Sequence, residues 1–234
     1  GDFNTVWFVT GDPEGAYSYA VEYDQKVSSV KARDIKDAVI IPDINDASDK
    51  PLDAINLNII GTANVLDAAV SIGIRRFVYA STMYVYSSYG SFYRATKQCA
   101  ETVIEAYHEK HGLEYTLLRY GSLYGPRAQD WNGLRGYVKQ VVCEGKLDYD
   151  GSGRERREYI HVQDAARLSV DVLDGKHKNQ AVTVTGTQVL NSNELIEMIF
   201  EIAGNERNVD YVETGERTYH YSMTPYRYTP KQAK

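Results

Sequence analysis

Arg75-Arg-Phe-Val-Tyr-Ala-Ser-Thr82 has a charged entry, an apolar middle and a hydroxyl-bearing exit, the pattern of a short buried strand. Val85 and Tyr86 continue with some strand character. Ser91-Phe-Tyr-Arg-Ala-Thr-Lys97 then opens a helix-forming run that reaches about His111, where Gly112 ends it. Tyr115-Thr-Leu-Leu-Arg119 begins a second apolar strand. Upstream, Asn56-Leu-Asn-Ile-Ile-Gly-Thr-Ala-Asn-Val-Leu-Asp-Ala-Ala-Val70 carries apolar residues at helical spacing, with Gly73 as its C-cap. The order helix, strand, helix, strand, with mostly apolar strands, argues for an α/β doubly wound parallel sheet covered by helices on both faces. Ligands of such sheets bind beyond the carboxyl ends of the strands, at the switch point. Ser81, Thr82 and Tyr120-Gly-Ser122 fall at those ends.

Tyr93 and Lys97 are four apart on one helical face, so the phenol and the ammonium can serve one site. A free tyrosine titrates near ~10 and is a poor base at neutral pH. A neighbouring cation favours the phenolate, which general-base work requires. By itself this spacing most often describes two surface neighbours on an amphipathic helix. The flanking sequence changes that balance.

At 234 residues the chain can hold one sizeable α/β core with a small appended lobe. A net charge of −6 and a pI near 5.4 argue against a nucleic-acid or membrane-surface role. No apolar run is long enough to span a bilayer, and no signal-peptide pattern is present. Cys99 and Cys143 are too few for a disulfide framework and lack metal-ligand spacing, which suits a cytoplasmic protein without a metal site. Twenty tyrosines is a high count, and most are expected at the edges of the core.

Several ordered segments resemble the extended short-chain dehydrogenase/reductases, in the NAD-dependent epimerase/dehydratase family that acts on sugar nucleotides. Val30-Lys-Ala-Arg-Asp-Ile35 resembles the strand whose Asp34-Ile35 pair contacts adenine. Pro51 through Asn58 to Thr62 resembles the helix after a cofactor-binding strand. Phe77 to Tyr86 resembles the strand ending in the catalytic hydroxyl, Thr82, and Tyr93 with Lys97 matches the catalytic pair. Leu118-Arg-Tyr-Gly-Ser-Leu-Tyr-Gly-Pro-Arg127 matches the segment linking nicotinamide and substrate. Arg157-Glu-Tyr-Ile-His-Val-Gln-Asp164 resembles the family's Arg-Asp-aromatic and Val-x-Asp signature.

The resemblance implies a Rossmann-type NAD-binding domain over residues 1–126 and a smaller, mainly substrate-binding lobe over 127–234, interleaved with the first. It implies NAD, with NADP not excluded, near Gly11, Asp34, Ile35, Asn58, Ser81, Tyr93, Lys97 and Tyr120. Thr82, Ser122 and Arg157 would meet the substrate, Arg157 as a bidentate clamp on the diphosphate. It implies C4 inversion of a nucleotide hexose, a UDP-sugar first, through a 4-keto intermediate. The other readings are a sugar-nucleotide dehydrogenase/reductase, a 4,6-dehydratase, or a non-catalytic relative that binds nucleotide sugars. Dehydratases of the family carry acidic residues after the catalytic hydroxyl; Met83 and Tyr84 stand there and cannot do that chemistry. A homodimer through helices near 58–72 and 93–111 is also implied.

The N-terminal segment departs from the family. Val6-Trp-Phe-Val-Thr-Gly11 reads as a first strand, but Asp12-Pro13-Glu14-Gly15 follows instead of a glycine-rich turn, and the next glycine is Gly61. Two carboxylates repel a diphosphate and Pro13 removes a donor. The intact catalytic set favours a sequence shortened within its cofactor loops over a decayed site.

Further on, strand alternation places Glu158, Ile160 and Val162 on one face and Arg157, Tyr159 and His161 on the other. His161 reads as structural and Asp164 as the N-cap of the next helix. Val182-Thr-Val184 reads as a strand, and Asn191-Ser-Asn-Glu194 as a capping box for a helix to Ala203. Tyr219 to Pro230 reads as irregular.

Overall fold

The computed structural model describes residues 6–8, 19–21, 50–129, 132–212 and 220–228. Strand β1 (Val6–Phe8) pairs antiparallel with β2 (Tyr19–Val21). Gly11, Asp34 and Ile35, expected at the cofactor, lie outside the described residues.

Helix α1 (Pro51–Ile55) starts on a proline, whose missing N–H has no helical partner to lose at that position. It passes through a π-helical turn (Asn56–Ile60) into α2 (Gly61–Ser71). Gly73, at φ 71°, follows the C-cap residue Ile72 in the left-handed conformation expected of a glycine there.

Three parallel strands form the central sheet in the order β3 (Arg76–Thr82), β4 (Glu114–Tyr120), β8 (Gln180–Val184). Thr82 lies opposite Tyr120, and Tyr120 opposite Val184, so the three carboxyl ends are level. Helix α3 (Ser91–His111) is the crossover between β3 and β4, and Gly112 at φ 70° ends it. Successive strand residues point to opposite faces. Tyr79 and Leu117 pack with Leu66, Ala100 and Ile104 of α2 and α3. Their neighbours Val78 and Leu118 pack on the other face with Ala165, Val172 and Val184. Each fully buried aliphatic side chain contributes roughly 1.5–3 kcal/mol, so a sheet apolar on both faces is held only when covered on both. The doubly wound parallel arrangement is therefore present.

Val85 and Tyr86 do not extend β3. Met83–Tyr86 form a 3₁₀ turn, because the Thr82 hydroxyl accepts the Tyr84 N–H and turns the chain. Met83 and Val85 are buried beneath it.

The remaining elements are β5 (Ser122–Tyr124), α4 (Gly133–Glu144), β6 (Leu147–Asp150), β7 (Arg156–His161), α5 (Val162–Asp171), β9 (Val189–Asn191), α6 (Ser192–Ala203) and β10 (Val209–Val212). β7 pairs parallel with β5 and antiparallel with β9, while β6 pairs parallel with β10. Val141, Leu147, Tyr149, Ile196 and Phe200 form a second core. β7 joins the two cores: Ile160 packs into the sheet core and Tyr159 against the second one.

Two local expectations are corrected on either side of His161. Val162 leaves the strand face, begins α5 and is partly exposed. The N-cap is His161, whose Nδ1 accepts the Gln163 N–H, and not Asp164. Asp164 sits in the first turn, where the helix dipole favours a carboxylate, and pairs with Arg167. The capping box is present: Asn191 Oδ1 accepts the Glu194 N–H and Glu194 Oε2 accepts the Asn191 N–H, both at 2.9 Å.

Candidate active site

Gly90, the N-cap residue of α3, has φ 99° and lies against the Tyr84 ring; a Cβ there would fall 2.7 Å from Tyr84 Cδ1. The helix is then tied to the carboxyl end of β3 by three side chains. Arg94 donates to Ser87 O, Gln98 to Val85 O, and Lys97 Nζ to Ala80 O at 2.9 Å. Tyr93 and Lys97 thus share one helical face at the end of β3, where Ser81 and Thr82 are buried. Tyr93 stays partly exposed, with its ring edge-on to Tyr84.

Lys97 is only 2% exposed and lies over the Tyr79 ring. Burial lowers its pKa to about 7, with the Glu101 carboxylate opposing that shift. Glu101 continues the Tyr93–Lys97 stripe by another four residues. Its carboxylate accepts from Ser81 and makes a forked pair with Arg119, at 3.1 Å from Nε and 2.6 Å from Nη2. Arg119 also donates to Tyr86 and Tyr228, whose rings flank the guanidinium. The network joins the Ser81 hydroxyl, α3, β4 and a C-terminal segment.

Asn58 lies in the π-helical turn, almost fully buried, and donates to Thr96 Oγ1 at 3.0 Å. Its Oδ1 has no hydrogen-bond partner among the described residues. Thr82 is placed at the strand end, with its hydroxyl engaged by the Tyr84 N–H. The Tyr120 phenol contacts Ser169 Oγ at 2.5 Å, and burial raises its pKa against that hydrogen bond. Gly121 lets the chain after β4 pass close to Thr185, where a Cβ would fall 2.3 Å from Oγ1.

Ser122 and Arg157 meet at Tyr221. Arg157 Nη2 donates to Tyr221 O, and the guanidinium lies 5.3 Å from the ring centroid. Burial raises the Tyr221 pKa, against the opposing charge of Arg157 and a hydrogen bond with Ser122. Arg157 Nε is buried without a partner among the described residues.

Residues 220–228 form no regular element, as expected, yet they cover the site. Tyr84 and His220 are bonded at 2.6 Å, Arg156 bridges to Met223, and Tyr228 reaches Arg119. The sequence carries a signal for Glu101, the next step of the helical stripe. It carries none for His220 or Tyr228, which come from a distant irregular segment.

With this geometry the relationships to known proteins are specific. The sequence model of the NAD dependent epimerase/dehydratase family matches residues 20–185, and the chain belongs to that family. It is 25% identical over 171 residues to a UDP-glucuronate 4-epimerase of Thermodesulfobacterium geofontis, covering 68% of this chain and 53% of that protein. It is 29% identical over 173 residues to a dTDP-glucose 4,6-dehydratase of Streptomyces griseus, covering 68% and 53%. The chain thus spans about half the length of each relative. The crystal structure of a Bacillus cereus UDP-glucuronic acid 4-epimerase, in complex with UDP-glucuronic acid and NAD, shares the fold. It has a TM-score of 0.71 and 22% identity, covering 82% of this chain and 68% of that one.

Proposed function

We propose that this chain carries the catalytic centre of an NAD-dependent nucleotide-sugar epimerase that inverts C4 of a UDP-hexose through a 4-keto intermediate. The observation that carries the reading is the placement of Tyr93 and buried Lys97 on one face of α3, beside Thr82 at the carboxyl end of β3. Tyr93 removes the proton from the C4 hydroxyl, Thr82 bonds the same oxygen, and the Lys97 charge stabilises the negative oxygen as the proton leaves. NAD, when bound, supplies the acceptor and donor for the C4 hydride.

The residues present fit the nicotinamide end of that cofactor. Lys97 provides a buried cation and Asn58 Oδ1 a buried acceptor lacking a protein partner, which suit ribose hydroxyls. Ser81 and Tyr120 complete that side of the crevice, and Gly11, Asp34 and Ile35 take the adenine and diphosphate end. Ser122 and Arg157 take the substrate, with the Arg157 guanidinium as the clamp on its diphosphate. Residues 1–126 belong to the cofactor domain and 127–234 mainly to the substrate lobe, with α5 and β8 of the second range interleaved into the sheet of the first.

The reading places the protein in the cytoplasm; no helix among the described residues is long and apolar enough to cross a membrane. It also makes the protein a homodimer through the helices at 58–72 and 93–111, the first of which exposes Ile60 and Ile72.

The test is turnover of UDP-glucose and UDP-glucuronic acid, read by NMR for C4 inversion. Tyr93→Phe is expected to lower it by on the order of 10²–10⁴-fold. Near-wild-type turnover in that variant removes the assigned base. Accumulation of reduced dinucleotide identifies a dehydrogenase instead, and absence of any dinucleotide uptake a non-catalytic binder.

A further inference from the structure

We propose that Tyr228, together with Tyr86, is a positioning residue of the site: their rings cage Arg119, which holds the Glu101 carboxylate one helical turn from Lys97 as the counter-charge of that ammonium. The place of Lys97 in the crevice is that of the proposed function, whereas its counter-charge can be read without turnover.

Ser81 of β3 and Arg119 of β4 are register partners in the sheet, and both are buried. Glu101 bridges them from α3, accepting the Ser81 hydroxyl and the forked guanidinium. One turn earlier on the same helix, Lys97 lies over the Tyr79 ring and donates to Ala80 O. Where the carboxylate stands is therefore set by Arg119. Two phenols hold Arg119 in turn. Tyr86 accepts from Nη1, and Tyr228 accepts at 2.8 Å from Nη2, the nitrogen that also donates to Glu101. The ring centroids lie 4.6 Å and 5.5 Å from the guanidinium carbon, and the two rings meet edge to face at 5.0 Å. Tyr86 belongs to the 3₁₀ turn after β3, while Tyr228 lies 109 positions from Arg119 along the chain.

Aromatic rings against a guanidinium add cation–π attraction and keep water from its charge. Where water is excluded, a carboxylate acts more strongly on the charges near it. Burial opposes the Lys97 charge and brings its pKa to about 7, and Glu101 pulls the other way. The other titratable groups around that ammonium and the ring beneath it are Tyr79 on β3 and Tyr93 and Cys99 on α3. The π-helical turn contributes the uncharged Asn58, bonded to Thr96. Among the described residues, Glu101 is the carboxylate that acts on Lys97. Tyr228 is 53% exposed, so its ring can be removed without opening a sealed cavity. Water then reaches Arg119 and Glu101, and screening weakens the hold of the carboxylate on Lys97.

The test follows the Lys97 Cε resonance of the cofactor-free protein, labelled with ¹³C-lysine, across about pH 5–9. Absence of the resonance in Lys97→Met assigns it. Tyr228→Leu is expected to lower the Lys97 midpoint by on the order of 0.5 pH unit. Tyr228→Phe, which keeps the ring and loses the hydroxyl, should lower it less. A merely structural role for Tyr228 would lower the thermal unfolding temperature and leave the midpoint in place. Unfolding is therefore recorded for both variants, and if Tyr228→Leu does not fold, Tyr228→Phe decides. A midpoint unchanged or raised in the deciding variant overturns the proposal. A lowered midpoint in a protein that inverts no UDP-hexose keeps this assignment and removes the epimerase reading; inversion with an unmoved midpoint does the reverse.

Discussion

Glu101 and Arg119 face each other across the seam between α3 and β4 in a forked ion pair, with both side chains almost wholly removed from water. The carboxylate also receives the Ser81 hydroxyl, and the guanidinium also reaches Tyr86 and Tyr228. With every charged atom held this way, burial raises no uncompensated charge. Burial by itself would lower the Arg119 pKa; the Glu101 bonds and charge outweigh it, so the guanidinium stays protonated.

Removing one partner should therefore be far worse than removing both. Glu101→Gln or Arg119→Met is expected to cost about 3–5 kcal/mol, because an unpaired buried charge remains. The double variant Glu101→Leu with Arg119→Met should cost less than either single change. Urea denaturation midpoints of the three variants check this.

Lys97 makes stability depend on pH in the cofactor-free protein. Burial holds its pKa at about 7, below the ordinary 10.5, so the unfolded chain binds more protons between those values. Stability contributed at this site therefore rises as pH rises through that window, and the cost of the buried charge is complete below it. Lys97→Met should remove this slope. Comparing urea midpoints of wild type and variant at about pH 6.5 and about pH 9.5 should show a differential of a few kcal/mol.

Gly90→Ala should disturb the site more than its size suggests. The backbone there is left-handed and the added methyl would meet the Tyr84 ring. Strain of about 1–3 kcal/mol is expected, together with displacement of the Tyr84 phenol from His220. The His220 ring nitrogens in a ¹⁵N spectrum should report that displacement.

Asn191→Ala tests whether α6 is held from its own first turn. Loss of the cap should cost about 1 kcal/mol, and Glu194→Ala should cost less, since it removes only the reciprocal bond. Thermal unfolding of the two variants gives the comparison.

Much of the architecture was legible because it follows from local patterns. The apolar middle of Arg75 to Thr82, the helical run from Ser91, and the stop at Gly112 mark β3 and α3. Asn191 and Glu194 declare a helix start at the spacing a capping box needs. Where a side chain competed with the backbone, pattern reading failed. Thr82 turns Val85 and Tyr86 away from the strand, and His161 takes the cap in place of Asp164. The π-helical turn that buries Asn58 leaves no mark in apolar spacing, because its residues keep the helical pattern of their neighbours.

By itself the sequence determined the alternation of elements, the Tyr93–Lys97 face and the family, since each depends on residues close along the chain or on ordered motifs. Only the tertiary structure decided that Glu101 balances Arg119, that Lys97 loses water, and that His220 and Tyr228 close over the strand ends. Burial and long-range hydrogen bonds arise only when distant segments pack, and no local spacing encodes which irregular segment will arrive at a given crevice.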